Sequence, residues 1–290
     1  MTGTKSINES GETMARRALR YSGVSNASLL RSNPAHSFAQ NYALSIFRSR
    51  AIYSFIPKNA CTTLRLSIAI ENGAINREDQ FRWVHNNNDT FKASLSELAS
   101  AEYTFVILRC PFARLASCFL DKFVSRRPEA WAFYELTDGE ILPANLTFRQ
   151  FCTQVCKDRL ISANAHWRRQ SDFLVYERYD DYFCVETFAK ASATISRKVG
   201  MQIVDARSLT MHGTSRFTLL GRERSASDMP VWEIEGLMRT GTCPNPAALY
   251  DTELRVLVAA AYAEDLALHE ELFPGLGLFS NQDVAGGDNS

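Results

Sequence analysis

Nowhere does this sequence hold a run of about eighteen apolar residues, so no helix of it spans a bilayer. Met1–Tyr21 is polar and lacks the apolar core of a signal peptide. Charge of either sign is not in excess: 32 basic residues face 32 acidic ones. No whole-molecule field therefore argues for nucleic acid or for an anionic membrane, and any anion must be recognised locally. The Gly-x4-Gly-Lys-Thr/Ser pattern of the common P-loop is missing, as is a strand-end aspartate for magnesium. Cys152-x3-Cys156 has helical spacing but no histidine pair nearby, which argues against zinc. The seven cysteines are odd in number and widely spread, so they do not read as a disulfide framework. Cys61, Cys110, Cys118 and Cys184 lie inside apolar or motif-like stretches, where a reduced core thiol is expected. There is no internal repeat.

What remains is an ordinary globular composition, 46% hydrophobic and 22% charged over 290 residues. Residues 1–35 are rich in Ser, Asn, Gly and Arg and read as a flexible lead-in with one short helix. Residues 36–280 read as a single domain, and 281–290 as a disordered tail. Strands are expected at 51–56 and 103–108, each followed by a helix, the first over 62–72 with Gly73 as its stop. This alternation predicts an α/β fold with a central parallel sheet flanked by helices and ligands at the carboxyl ends of its strands. Further helices are expected over 91–99, 146–159, 187–199 and 252–272, and short strands at 173–176 and 182–185. Residues 207–247 show little periodicity and read as a long functional or poorly ordered loop.

The richest stretch is Ile52-Tyr53-Ser54-Phe55-Ile56-Pro57-Lys58-Asn59-Ala60-Cys61-Thr62-Thr63-Leu64-Arg65. An apolar strand runs through a short loop into a helical pattern, which leaves unpaired N–H groups at the positive end of the helix dipole. With Lys58 at the loop mouth and Thr62 and Thr63 at the helix entry, this is a phosphate-type cradle. A second stretch follows the strand 103–108: Arg109-Cys110-Pro111-Phe112-Ala113-Arg114-Leu115-Ala116-Ser117, continuing to Asp121-Lys122-Phe123. Pro111 suits a first helical turn. Leu115, Phe119 and Phe123 make an apolar stripe, and Arg114, Ser117 and Asp121 share a polar face. Arg109 at the strand end and Ser117 two turns on can converge on one phosphate, the arginine as a charged fork and the serine as a short donor.

Pro57-Lys58-x-x-Cys61-Thr62 resembles the 5′-phosphosulfate loop of sulfotransferases that use 3′-phosphoadenosine-5′-phosphosulfate (PAPS). The stretch Arg109 to Phe123 is similar to the 3′-phosphate motif of their carbohydrate branch, sulfotransferase family 2 of the Golgi chondroitin type. Asn164-Ala165-His166-Trp167 and Tyr179–Glu186 echo later segments of that family more weakly, and the resemblance extends over about 51–268 with gaps. Cys110 departs from it, since the family has an acid there that would orient Arg109 or Arg114.

The resemblance implies a P-loop nucleotide kinase-like fold and transfer of the sulfuryl group of PAPS to a hydroxyl of a carbohydrate or glycoconjugate. Pro57, Lys58, Asn59, Ala60, Cys61, Thr62 and Thr63 would hold the 5′-phosphosulfate, with Lys58 stabilising charge on the group in flight. Arg109 and Ser117 would hold the 3′-phosphate, and no metal is expected. The base must be a histidine or carboxylate near the lysine loop. His85, just after Trp83 in the loop between the two motifs, is the first candidate and His166 the second. Trp83, His166, Arg216 and Arg222 are candidate acceptor or loop contacts. Golgi relatives carry an N-terminal anchor that this sequence lacks, which points to a cytoplasmic, bacterial-type enzyme touching membrane-linked acceptors at most peripherally. Two rival readings are a nucleotide-dependent kinase on the same scaffold and an inactive nucleotide-binding module.

Overall fold

Tyr103–Leu108 (β3) consists of six apolar or hydroxyl residues, five of them buried, as a strand covered on both faces must be. In the computed structural model, which describes residues 17–24, 30–77, 80–87, 89–206, 214 and 216–280, β3 lies inside a four-stranded sheet. Its partners are β2 (Ala51–Ser54) and β4 (Asp181–Cys184), both parallel to it, and β1 (Ala43–Ile46) pairs antiparallel with β2 at the edge. The sheet order is β1-β2-β3-β4, so the fold is α/β with a mostly parallel sheet. The antiparallel edge strand was not expected; its four residues are all buried, so no alternation marks them as a strand. Tyr53 opposite Phe105 stacks at 5.0 Å between ring centroids, a cross-strand pair that helps fix the register.

By its contacts the chain forms two compact units. The first comprises residues 1–56, 60–108 and 170–209, the second 57–59, 109–169 and 210–290. Unit one holds the sheet and α1 (Cys61–Glu71), which ends at Asn72 with Gly73 at φ 76°, a left-handed stop that glycine adopts without strain. Its core joins Leu64, Leu66 and Ile68 of α1 to Phe105 and Ile107 of β3, and to Ile195 and Val199 of the helix Phe188–Val199. The helix expected from residue 91 begins at Leu95, where Ser94 and Glu97 close a capping box; Phe91 instead gives its carbonyl to Ser45 N–H.

Unit two is mostly helical. Pro111–Cys118 (α2) runs into a π-helical turn, Phe119–Phe123, in which Val124 N–H bonds back to Phe119 O at 3.1 Å. Pro128–Leu136 (α3) and the helices Phe148–Val155, Val231–Arg239 and Thr252–Ala261 pack around Phe119, Phe123, Phe148, Phe151 and Trp167, all fully buried. Rings this size contribute roughly 1.5–3 kcal/mol each on burial. The helix Val231–Arg239 corrects the expectation of an irregular stretch over 207–247; Val231 and Ile234 supply its buried face. Within that stretch residues 207–213 and 215 lie outside the described residues, and Thr218–Leu219 (β5) pairs with Thr242–Cys243 (β6). The strand expected at 173–176 is a 3-10 turn over Gln170–Phe173 followed by a single bridge from Tyr176 to Leu19. The last helix breaks at Tyr262, which leaves helical backbone and whose hydroxyl donates to Trp167 O. Residues 1–16, 25–29 and 281–290, most of the lead-in and the whole tail, also lie outside the described residues.

Candidate active site

In unit one, α1 starts without a side-chain cap. Its N-cap residue is Ala60, held at φ 55°, so the first-turn N–H groups are not taken up by a capping side chain. Thr63 is buried, and its hydroxyl accepts from Ala206 N–H at 3.3 Å while keeping its own proton to donate. Thr62, Cys61 and Ala60 are half-buried.

The loop residues Pro57–Asn59 belong to unit two, and their backbone is constrained from that side. Lys58 sits at φ 74°, the left-handed region that a non-glycine residue enters at a cost of about 1–3 kcal/mol. Two arginines hold it there: Arg114 Nε donates to Pro57 O at 3.0 Å and Arg109 Nη1 to Lys58 O at 3.1 Å. Arg114, only 2% exposed, also donates to Arg168 O at 2.7 Å and Ala165 O at 2.9 Å. One guanidinium thus ties α2 to the lysine loop and to the segment carrying His166, a task its planar fork suits and a lysine's single ammonium does not. The acid missing at Cys110 is not needed to orient Arg114, because backbone carbonyls do so. The Cys110 thiol instead accepts from Leu278 N–H at 3.3 Å and docks the C-terminal segment.

The Lys58 side chain ends at Asp121, Nζ to Oδ2 at 2.7 Å, with both side chains about nine-tenths covered. Asp121 and its neighbour Lys122 lie in the π-helical turn, a widening common at functional sites. From there a chain of alternating charge continues. Lys122 Nζ is 3.8 Å from the same Asp121 oxygen and 3.0 Å from Glu129 Oε1 in the first turn of α3. His166 Nε2 lies 3.5 Å from Glu129, and its Nδ1 is 2.9 Å from Asn164 Oδ1. Because an amide oxygen can only accept, Nδ1 carries the proton and Nε2 the lone pair. Burial, then Lys122 and the other nearby cations, push the His166 pKa down to about 3 against the opposing pull of Glu129. Burial would raise the Glu129 carboxyl, yet the hydrogen bond and charge of Lys122, with a backbone hydrogen bond, hold it below its usual value. At neutral pH His166 is uncharged.

Pro57, Lys58, Asn59, Arg109, Ser117 and His166 all belong to unit two, and Arg109 is bonded to the Lys58 carbonyl. Ser117 is half-buried on α2. Trp83 and His85 belong to unit one, on the short helix Trp83–Asn86, with Trp83 half-buried against Phe91 and His85 exposed. Arg216 and Arg222 are exposed in unit two, Arg216 lying over the Phe217 ring. Sequence reasoning passed over Asp121, Lys122, Glu129 and Asn164 as site residues, although Asp121-Lys122 closes the second motif and Asn164 precedes His166 by two positions. All seven cysteines are thiols. Among the described residues no helix is long and apolar enough to cross a membrane.

Comparison with curated proteins and with solved structures finds no match. Comparison with protein families does: residues 48–228, more than half of the chain and including both the lysine loop and the α2 motif, match the sulfotransferase family, and the chain belongs to it.

Proposed function

We propose that this sulfotransferase takes its sulfuryl group from PAPS and passes it to a hydroxyl of a carbohydrate or glycoconjugate. The observation that carries the reading is the lysine loop. Its backbone is gripped by Arg109 and Arg114, it presents Lys58, and it leads into a helix start without a side-chain cap. Pro57–Thr63 would hold the 5′-phosphosulfate through backbone N–H groups and the Thr62 and Thr63 hydroxyls. Lys58 would neutralise charge developing on the bridging oxygen. Arg109 and Ser117 would take the 3′-phosphate. His85, exposed on its short helix, would accept the proton of the acceptor hydroxyl, a role for which His166 is less suited because it resists protonation. Trp83, Arg216 and Arg222 would contact the acceptor or the bound nucleotide. No metal takes part, since the lysine and the helix dipole supply the positive charge. In this reading residues 36–280 act as one domain, and the matched span, 48–228, draws on both units. Seven unbridged thiols suit a reducing, cytoplasmic setting.

The test is thermal stabilisation by 3′-phosphoadenosine-5′-phosphate (PAP) beside ATP–magnesium, on wild type and Ser117→Ala. At 100 times the dissociation constant, PAP adds about 2.7 kcal/mol to wild type, and the same concentration adds less to the variant. His85→Ala keeps PAP binding and loses sulfate transfer to a carbohydrate acceptor. Stabilisation by ATP–magnesium alone would refute the donor.

A further inference from the structure

The Lys58–Asp121 contact joins a lysine whose backbone two arginines hold to a carboxylate that a second ammonium also approaches. The two carbonyls flanking Lys58 are held by Arg114 and Arg109, and its φ of 74° is set by that grip. The four-carbon stem beyond is the part that can swing. It is directed at Asp121 Oδ2, 2.7 Å away. A second ammonium, Lys122, stands 3.8 Å from the same oxygen, already tethered to Glu129 at 3.0 Å. A carboxylate left behind by Lys58 would therefore not be stranded in a covered place, which is the outcome that makes breaking such pairs costly.

We infer that Asp121 is a positioning residue that parks Lys58 while no donor nucleotide is bound, and hands it over when the 5′-phosphosulfate arrives, with Lys122 receiving the Asp121 carboxylate. This rests on the donor assignment above. Parking makes the loop selective: an anion must compete with Asp121 for the lysine, so only a ligand that also engages the rest of the site gains it. The apparent affinity is lowered by the fraction of molecules with Lys58 parked.

The experiment is a titration of PAP, by calorimetry, into wild type, Asp121→Asn, Lys58→Ala and the double variant. Asp121→Asn is expected to bind PAP roughly tenfold more tightly than wild type, since an amide does not retain the ammonium. In the Lys58→Ala background the same change is expected to alter affinity less than about twofold, because no lysine is left to park. Simple damage to the fold would weaken binding, so tightening that depends on Lys58 has no structural explanation. Should Asp121→Asn not fold, Asp121→Ser completes the same cycle. If wild type binds PAP and the variant binds it equally or more weakly, parking is overturned and the donor stands. Equal tightening with and without Lys58 also overturns parking, leaving only the removal of a negative charge. If wild type binds no PAP, the donor assignment falls and parking falls with it.

Discussion

Replacing Arg114 with lysine keeps the charge and most of the volume but removes the fork. Three carbonyls, of Pro57, Ala165 and Arg168, accept from it at 3.0, 2.9 and 2.7 Å, and the side chain is 2% exposed. Hydrogen bonds to a charged donor are worth about 1.5–3 kcal/mol each, and a buried acceptor left bare costs a similar amount. A lysine has one nitrogen where the guanidinium aims three, so it cannot reach all three carbonyls and at least one is left bare. Allowing for non-additivity within one guanidinium, Arg114→Lys should cost about 3 kcal/mol and Arg114→Met about 5 kcal/mol. The natural probe is Trp167, fully buried and one residue from Arg168; Trp131 and Trp232 are more than half exposed and should change little on unfolding. Urea unfolding followed by tryptophan fluorescence should show the Arg114→Lys midpoint lowered by more than about 1 M at unchanged slope. A shift below about 0.3 M would mean that water satisfies these carbonyls as well as the guanidinium does, and the account of how the lysine loop is held would be wrong.

Two further outcomes follow from the same structure. His166 has a folded pKa of about 3, below the ordinary histidine value of about 6.5, so the unfolded chain binds the extra proton between these limits. Stability contributed by the neutral ring is fully present above about pH 6.5 and is lost on acidification, at most about 1.4 kcal/mol per pH unit. His36, whose pKa is lowered by burial, adds to the same trend. The melting temperature should fall from pH 7 to pH 5, and fall less in His166→Gln; an identical fall in that variant would refute the assignment. Tyr53 is fully buried, and its hydroxyl has no hydrogen-bond partner among the described residues. Tyr53→Phe should leave stability unchanged or raise it by up to about 1 kcal/mol in chemical denaturation, and a loss of more than about 1 kcal/mol would reveal a hidden partner.

Local chemistry made the sheet and both motifs legible. β3 occupies the six residues its apolar run marks out, and Pro111 opens α2 where a missing N–H does no harm. Legibility failed where structure depends on residues distant in sequence. Leu115, Phe119 and Phe123 have the spacing of a continuous α-helix, and nothing in that spacing signals the π-helical turn that carries Asp121 and Lys122. The pairing of Lys58 with Asp121 spans 63 positions and leaves no periodic trace. Arg114 looked like one more polar-face residue, because the carbonyls it gathers belong to backbone, which every residue possesses. The helix Val231–Arg239 was hidden by the Gly, Ser and Arg around it, although its own Val231–Ile234 spacing is helical.

The interleaving of the two units in sequence has a consequence for synthesis on the ribosome. β3 ends at Leu108 and its neighbour β4 begins at Asp181, so every residue between them, 109–169 of unit two among them, is translated first. At about 5–20 residues per second, those 72 residues, counted from 109 to 180, keep one edge of β3 waiting for about 4–14 s. An apolar strand edge open for that long is a template for another nascent chain. Soluble yield should therefore depend on translation speed and on chaperone supply, and fragments ending before Asp181 should aggregate however well their helices form.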